Sequence, residues 1–364
     1  MPMKYSTFMM PLHPPSRIPT ETLQEDREAI ILADKLGFSE AFVGEHVTDA
    51  AETVTSSLIF LATLANETKQ IMLGTGTINM PNSHPAAVAA QVAMLDHLLK
   101  GRLIMGISPG GLMSDAEVFG NFGKDRNAMF VECINTVLKI WESEPPYNIE
   151  GKFWNISVEK TMIPEIGQGY IMKPYQKPHP AIVGTAVAPF SQGVAEMAKR
   201  GWYPISANFL MPEWVKTHWP KYVEGREAVG AKPQVADWRV AKSIFVADDE
   251  ATAQRYAREA GGPYHFYFKQ LVRKLVNGGR TNLFKSDPTM ADSDITPEYV
   301  TNRLVLAGTV NSVVDQILAF REQVGDFGTL VYACHDWQDP KLAKRSMELF
   351  ATEVMPRVNA AIGA

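Results

Sequence analysis

A handful of residues stand where short apolar segments give way to small or polar side chains, and their types suit proton transfer and ligand contact. Glu45 and His46 follow Glu40–Gly44, Gly76 and Thr77 lie near the end of Ile71–Ile78, and Ser108 follows Leu103–Ile107. Imidazole is the side chain best suited to moving a proton near neutral pH, which makes His46 the candidate catalytic residue. A hydrogen-bonded histidine at a strand end is the alternative reading. Glu45 beside it can orient backbone or ring groups, or serve as a structural acid. Gly76 removes a Cβ and permits close approach of a flat ligand, or simply tight packing. The segment Ala188-Pro189-Phe190-Ser191-Gln192-Gly193 leads into a helical pattern. Free amides at a helix start, together with the dipole, form an anion site without any lysine. Ser191 adds a hydroxyl donor there or caps the helix, and Asp115 is a further cap candidate. His84 reads as a helix-start residue.

Such residues need a scaffold that brings strand ends together. Strand-like and helix-like segments alternate along the chain: Lys4–Met10 then Thr20–Leu36, Glu40–Gly44 then Ser56–Asn66, Ile71–Ile78 then His84–Leu99, Leu103–Ile107 then Arg126–Trp141. Tyr147–Ser157 reads as an added hairpin. The alternation resumes with Ala181–Thr185 and Ser191–Lys199, Trp202–Ala207 and Pro212–Val229, Arg239–Ala247 and Asp249–Ala260, then Gly328–Tyr332 and Pro340–Val354. Eight such pairs predict a single α/β domain over residues 1–364, a (β/α)8 TIM barrel with insertions rather than an open sheet. Functional side chains on that fold sit at the carboxyl ends of the strands.

The largest insertion falls between the seventh and eighth strands. Residues 261–291 carry GGPYHFYFKQL, NGGRTN and SDPTMADSD, which read as an active-site lid with glycine hinges, or as a decorated surface loop. The aromatic cluster Tyr264, Phe266, Tyr267 and Phe268 wants an apolar surface to cover. With Met9, Met10, Leu12, Phe209 and Met211 it forms the candidate wall of a hydrophobic substrate pocket, although the methionines also suit plain core filling.

Composition narrows the partners. At 46% hydrophobic and 21% charged residues the chain reads as a soluble globular protein with a large core, and a net charge of −5 argues against nucleic acid. Cys133 and Cys334 are far apart with no CxxC, so neither a disulfide framework nor a zinc site is expected, and a reducing, cytoplasmic setting is. No apolar run is long enough to span a membrane. GxGxxG, GxxxxGK[ST] and HExxH are absent, so Rossmann, kinase and metallohydrolase readings lose ground. An apolar barrel mouth without a metal motif points to an organic cofactor as the source of reactivity.

The stretches GTGTINMPNSHP, LLKGRLIMGISPGG and DAEVFG resemble the bacterial luciferase-like family of flavin-dependent monooxygenases, and GFSEAFVGEH fits that family's second strand with its Glu-His ending. MFVECINTVLKIWESEPPYNIEGKFWNI is similar to the branch containing diketocamphane and limonene monooxygenases. The resemblance implies FMN at the carboxyl face of the barrel, delivered reduced by a separate flavin reductase. It also implies O2 activation as a flavin C4a-(hydro)peroxide and transfer of one oxygen to a hydrophobic terpenoid, ketone, aldehyde or alkene. His46 would lie beside the flavin. Gly76 and Thr77 would be joined by a non-prolyl cis peptide beneath its ring, with Glu45 and Asp115 near the pocket. Ser108 replaces a cysteine of luciferase, and Pro109 replaces an arginine that helps bind phosphate there. Phosphate contact would then pass to Pro189, Phe190, Ser191, Gln192 and Gly193. A homodimer through the helices after the second and third strands is also implied. The same barrel family contains F420-dependent oxidoreductases and non-catalytic flavin-binding proteins, which are the alternatives.

Overall fold

The computed structural model describes residues 2–287 and 289–363. Eight parallel strands are β1 (Lys4–Met9), β2 (Glu40–Val43), β3 (Met72–Thr75), β4 (Leu103–Ser108), β5 (Ala181–Ala186), β6 (Tyr203–Ser206), β7 (Arg239–Val246) and β8 (Thr329–Ala333). Each pairs with the next, and β1 pairs with β8 through Lys4↔Thr329 to Phe8↔Ala333, which closes the barrel. The predicted TIM barrel is therefore observed.

Alternation along the strands explains the two apolar layers. On β2, Ala41 and Val43 belong to the main core between barrel and helices, whereas Phe42 points inward. Phe42 meets Ile104, Val183 and Ile205 in the barrel interior, as expected for side chains of period two on a closed sheet. At the amino end, Arg239 of β7 forms a bidentate pair with Glu40 of β2, at 2.7 and 2.6 Å. Because β2 and β7 are not neighbours, this pair spans the interior and fills its floor.

The helices that matter for the site are α1 (Pro19–Lys35), α2 (Ser57–Ala62), α3 (Pro85–Leu98), α4 (Met113–Val118), α5 (Arg126–Glu142), α6 (Gln192–Lys199) and α7 (His218–Ala228). They are followed by α8 (Glu250–Arg258), α9 (Pro263–Asn277), α10 (Pro297–Leu304), α11 (Val310–Val324) and α12 (Pro340–Leu349). His84 caps α3, its Nδ1 accepting from the Ala86 amide at 3.3 Å. The expected hairpin is present as Asn148–Ile149 against Ile156–Ser157. Cys133 and Cys334 are both buried and free. No described helix is long and apolar enough to cross a membrane.

Two elements differ from the sequence expectation. About half of 261–291 is the helix α9 rather than irregular loop, because Tyr264, Tyr267, Phe268 and Val272 recur at helical spacing and are all buried. Gly262 precedes it and Pro263 fits its first turn. A further strand, Val305–Gly308, follows α10 without an intervening turn and pairs with Ser243–Val246 of β7.

Candidate active site

His46 lies just beyond β2, and its ring is held from α4. Asp115 accepts from His46 Nδ1 at 2.8 Å, from the Val47 and Thr48 amides at 3.2 and 3.0 Å, and from Thr48 Oγ1 at 2.6 Å. This carboxylate fixes both the turn 46–48 and the tautomer, leaving Nε2 as the nitrogen that can gain or lose a proton. Asp115 sits inside α4 rather than capping it, since Leu112 holds the cap position. Burial raises the acidity threshold of Asp115, but hydrogen bonds from His46 and Thr48 outweigh it and hold the carboxyl below its usual range. Burial by itself depresses His46. The Asp115 bond and the Glu52 charge overcome that, so the imidazole stays protonated to higher pH than usual.

Nε2 of His46 faces Glu52, 3.6 Å from its Oε2. Glu52 Oε1 accepts from Lys274 Nζ at 2.6 Å, and Lys274 also lies 2.5 Å from Asp49 Oδ2. Lys274 belongs to α9, so the insertion is tied directly to the loop that carries His46.

The hydroxyls of Thr77 and Ser108 meet. The Gly76–Thr77 peptide is cis. Thr77 Oγ1 donates to Ser108 Oγ at 2.6 Å, and Ser108 Oγ donates to Asn79 Oδ1 at 3.2 Å. Gly106-Ile107-Ser108-Pro109-Gly110 has the spacing of a hydrolase nucleophile turn, but the bonds of Ser108 go to Thr77, Asn79 and the Gly110 amide, and to no histidine. A Cβ on Gly76 would lie 3.0 Å from Phe42 Cβ and 3.1 Å from Phe8 Cε2, so the glycine rests directly on the aromatic interior. Glu45 has a structural position. Its carboxylate takes the Ser57 amide and hydroxyl at 2.9 and 2.7 Å and the Asn79 amide at 3.1 Å, locking β2 to α2 and to the segment after Thr77.

The segment 188–193 forms the turn before α6. Phe190 is left-handed, with φ 51°, and donates its amide to Thr217 Oγ1 at 2.9 Å. His218 Nε2 donates to the Ala188 carbonyl at 2.9 Å while Nδ1 accepts from Ser206 Oγ at 2.8 Å, which itself accepts from Trp238 Nε1. Burial pushes His218 down to about 4, so this chain of bonds persists near neutrality. Ser191 occupies the cap position of α6, yet its side chain makes no capping bond. The hydroxyl of Ser191 is thus not used in capping, and the first-turn amides of Gln192 and Gly193 are among those a helix leaves without intrahelical partners. Arg280, just past α9, reaches the Val187 carbonyl at 3.5 Å and brings a cation to the same turn. This donor set fits a phosphate group. Pro189 and Phe190 shape the turn and offer no N–H to it.

The proposed apolar wall is split by the structure. Leu12, Met211, Tyr264, Tyr267 and Phe268 join one cluster at the barrel mouth, with Phe209 and Phe266 packed partly exposed against it. Met9 instead belongs to the core between barrel and helices, and Met10 packs over Gly44, whose Cβ would meet its Sδ at 2.2 Å. Met211 is fully buried, whereas Met10, Phe209 and Phe266 keep some open surface.

Comparison with known proteins assigns the scaffold. Residues 3–326 match the Luciferase-like monooxygenase family. The chain belongs to that family. Among its luciferase-like relatives, 4-hydroxyprotoasukamycin monooxygenase of Streptomyces nodosus subsp. asukaensis is 28% identical, covering 98% of this chain and 93% of the relative. The 3,6-diketocamphane 1,6-monooxygenase of Pseudomonas putida is 26% identical, covering 98% and 99%. The solved structure of the oxygenating constituent of 3,6-diketocamphane monooxygenase from Pseudomonas putida, a type II Baeyer-Villiger monooxygenase in complex with FMN, superposes with a TM-score of 0.88. It is 26% identical and is covered over 99% of its length, against 98% of this chain. Thr217, His218, Glu52, Lys274 and Arg280 escape a reading of the sequence, because each is a lone polar residue whose role exists only through a distant contact.

Proposed function

We propose that this luciferase-like chain is the oxygenase of a two-component system, using FMN reduced by a separate reductase to insert one oxygen atom into a hydrophobic ketone, aldehyde, alkene or terpenoid. The observation that carries this reading is the helix start at Ser191–Gly193, with Arg280 beside it, on the same barrel face as the His46–Asp115 pair. Reduced FMN supplies the electrons with which one atom of O2 enters the substrate and the other leaves as water. Ser191, Gln192, Gly193 and Arg280 would hold its phosphate, and Gly76, Thr77 and Ser108 would lie against its ring.

The chain's own contribution is proton control and exclusion of water. His46 holds a proton at Nε2 to higher pH than an ordinary imidazole does, while Asp115 keeps Nδ1–H fixed and the ring oriented. Helix α9 acts as the lid, covering the mouth with Tyr264, Tyr267 and Phe268, so that water does not divert oxygen to hydrogen peroxide. Phe209 and Phe266 offer apolar contact to the substrate. Exposed Ile59, Met94 and Leu98 on α2 and α3 support a homodimer through those helices, and buried free thiols suit the cytoplasm.

Anaerobic titration with reduced FMN, followed by mixing with O2, tests the proposal. The expected result is tight binding and a delay between O2 consumption and the return of oxidised-flavin absorbance, shortened in His46→Ala. Binding of reduced F420 with no O2 reaction would overturn it, as would flavin binding without turnover on any substrate.

A further inference from the structure

Glu52 is placed between two cations from different parts of the chain. Its side chain is 4% exposed. One oxygen, Oε1, accepts from Lys274 of α9, 222 positions away. The other, Oε2, is buried with no hydrogen-bond partner and faces His46 Nε2 at 3.6 Å. A buried carboxylate oxygen without a donor is costly, and the nearest available donor is the protonated His46 ring.

Four charged groups face that ring or its partner: Asp115 from α4, Glu52 and Asp49 from the loop after β2, and Lys274 from α9. Lys274 is the sole cation among them. It holds Glu52 and Asp49 at 2.6 and 2.5 Å, so it neutralises much of the negative field that would otherwise fall on His46. The two neighbours of His46 therefore act in opposite senses. Glu52 favours the charged imidazole, and Lys274 opposes it.

We propose that Glu52 and Lys274 are positioning residues that couple the seating of α9 to the protonation of His46. With α9 seated, Lys274 shares the Glu52 carboxylate and releases His46 from part of its hold. When α9 lifts, Glu52 turns wholly to His46 and retains its proton. The closed site would then hold the histidine ready to give up a proton, and the open site would reload it. Reciprocity follows, because a site whose proton affinity depends on α9 must in turn bias α9.

The use of this coupling in oxygen transfer rests on the monooxygenase reading, but the coupling itself is measurable without flavin. The experiment is an imidazole NMR titration of His46 in the full-length protein, with the signal assigned by its loss in His46→Gln. The expected midpoint falls by about one pH unit in Glu52→Gln and rises by about one in Lys274→Met. Lys274→Arg, which keeps the charge, should restore the parent value. Amide exchange across α9 should also quicken as His46 is protonated, and lose that pH dependence in Lys274→Met. If Glu52→Gln does not fold, the lysine pair carries the test. Midpoints that move in the same direction, or not at all, would overturn the proposal, as would α9 exchange indifferent to His46. Opposite shifts in a protein that shows no O2 reaction would leave the coupling intact and remove the monooxygenase reading instead.

Discussion

Asp115 and His46 are 69 positions apart in the chain, yet the Asp115 carboxylate lies 2.8 Å from His46 Nδ1 and also takes both amides of the turn that follows the histidine. One acidic side chain thereby sets the position, tautomer and charge of the ring. Helix α4 is short, and Asp115 and Ala116 are its buried residues. This arrangement makes the proton chemistry of His46 dependent on a residue that need not touch any ligand.

Replacing Asp115 by Asn should therefore keep the fold but lose the tautomer. Product formation in the reconstituted system is expected to fall about 10²-fold, with hydrogen peroxide rising in its place. Product yield per NADH oxidised measures this. Unchanged coupling in the variant would show that the tautomer is irrelevant.

The turn before α6 is held by Thr217 and His218 rather than by its own side chains. His218→Ala should weaken FMN binding roughly tenfold, and Ser191→Ala by about tenfold or more, at the net worth of about 1.5–3 kcal/mol for a hydrogen bond to a charged group. Fluorescence titration reads both. Equal affinity in His218→Ala would mean that the turn is rigid without it.

A Cβ on Gly76 would lie 3.0 Å from Phe42 Cβ and 3.1 Å from Phe8 Cε2, close enough that the two phenylalanines must give way slightly. Gly76→Ala must push aside the aromatic interior, at about 1–3 kcal/mol of overpacking. A lowered midpoint of thermal unfolding is expected before any effect on flavin is considered. An unchanged midpoint would show that the interior yields freely.

A second ionic cluster, remote from His46 in its bonding, is expected to contribute to stability at alkaline pH. His13 is buried, with Nδ1 2.6 Å from Asp336 and Nε2 3.3 Å from Asp26, and Arg17 bridges Asp336 to Glu25. Burial opposes its charge, but the bonds to Asp26 and Asp336 win and raise it to about 9 from an ordinary 6.5. The folded state thus binds the extra proton between these values. Its stabilisation is complete below about pH 6.5 and is lost as pH rises through about 9, with a slope of at most about 1.4 kcal/mol per pH unit. Urea unfolding from pH 6 to pH 10 should show this decline in the parent protein and a flatter profile in His13→Asn.

How legible each part was depends on where its information lies. The eight strands and α3 could be read because their apolar residues repeat locally at the period of the element that buries them. The same rule applies to Tyr264, Tyr267, Phe268 and Val272, but glycine pairs at 261–262 and 278–279 bracket them and disguise the helix as a loop. Val305–Gly308 carries no turn signal between it and α10, so nothing in the chain marked it as a strand.

Within the site, His46, Gly76, Thr77, Ser108 and Ser191 could be picked out because residue type and position at a strand or helix end already limit the chemistry open to them. Their partners could not. Asp115 read as a helix cap or a residue near the flavin pocket and Glu45 as either ligand or scaffold, and only the folded chain assigns the first to His46 and the second to Ser57 and Asn79. Lys274, Glu52 and His218 look like ordinary polar residues until closure of the barrel brings strand ends and insertion together. Local periodicity determined the scaffold and the reactive side chains. The charges and hydrogen bonds that tune them are through-space quantities, and tertiary structure alone decided those.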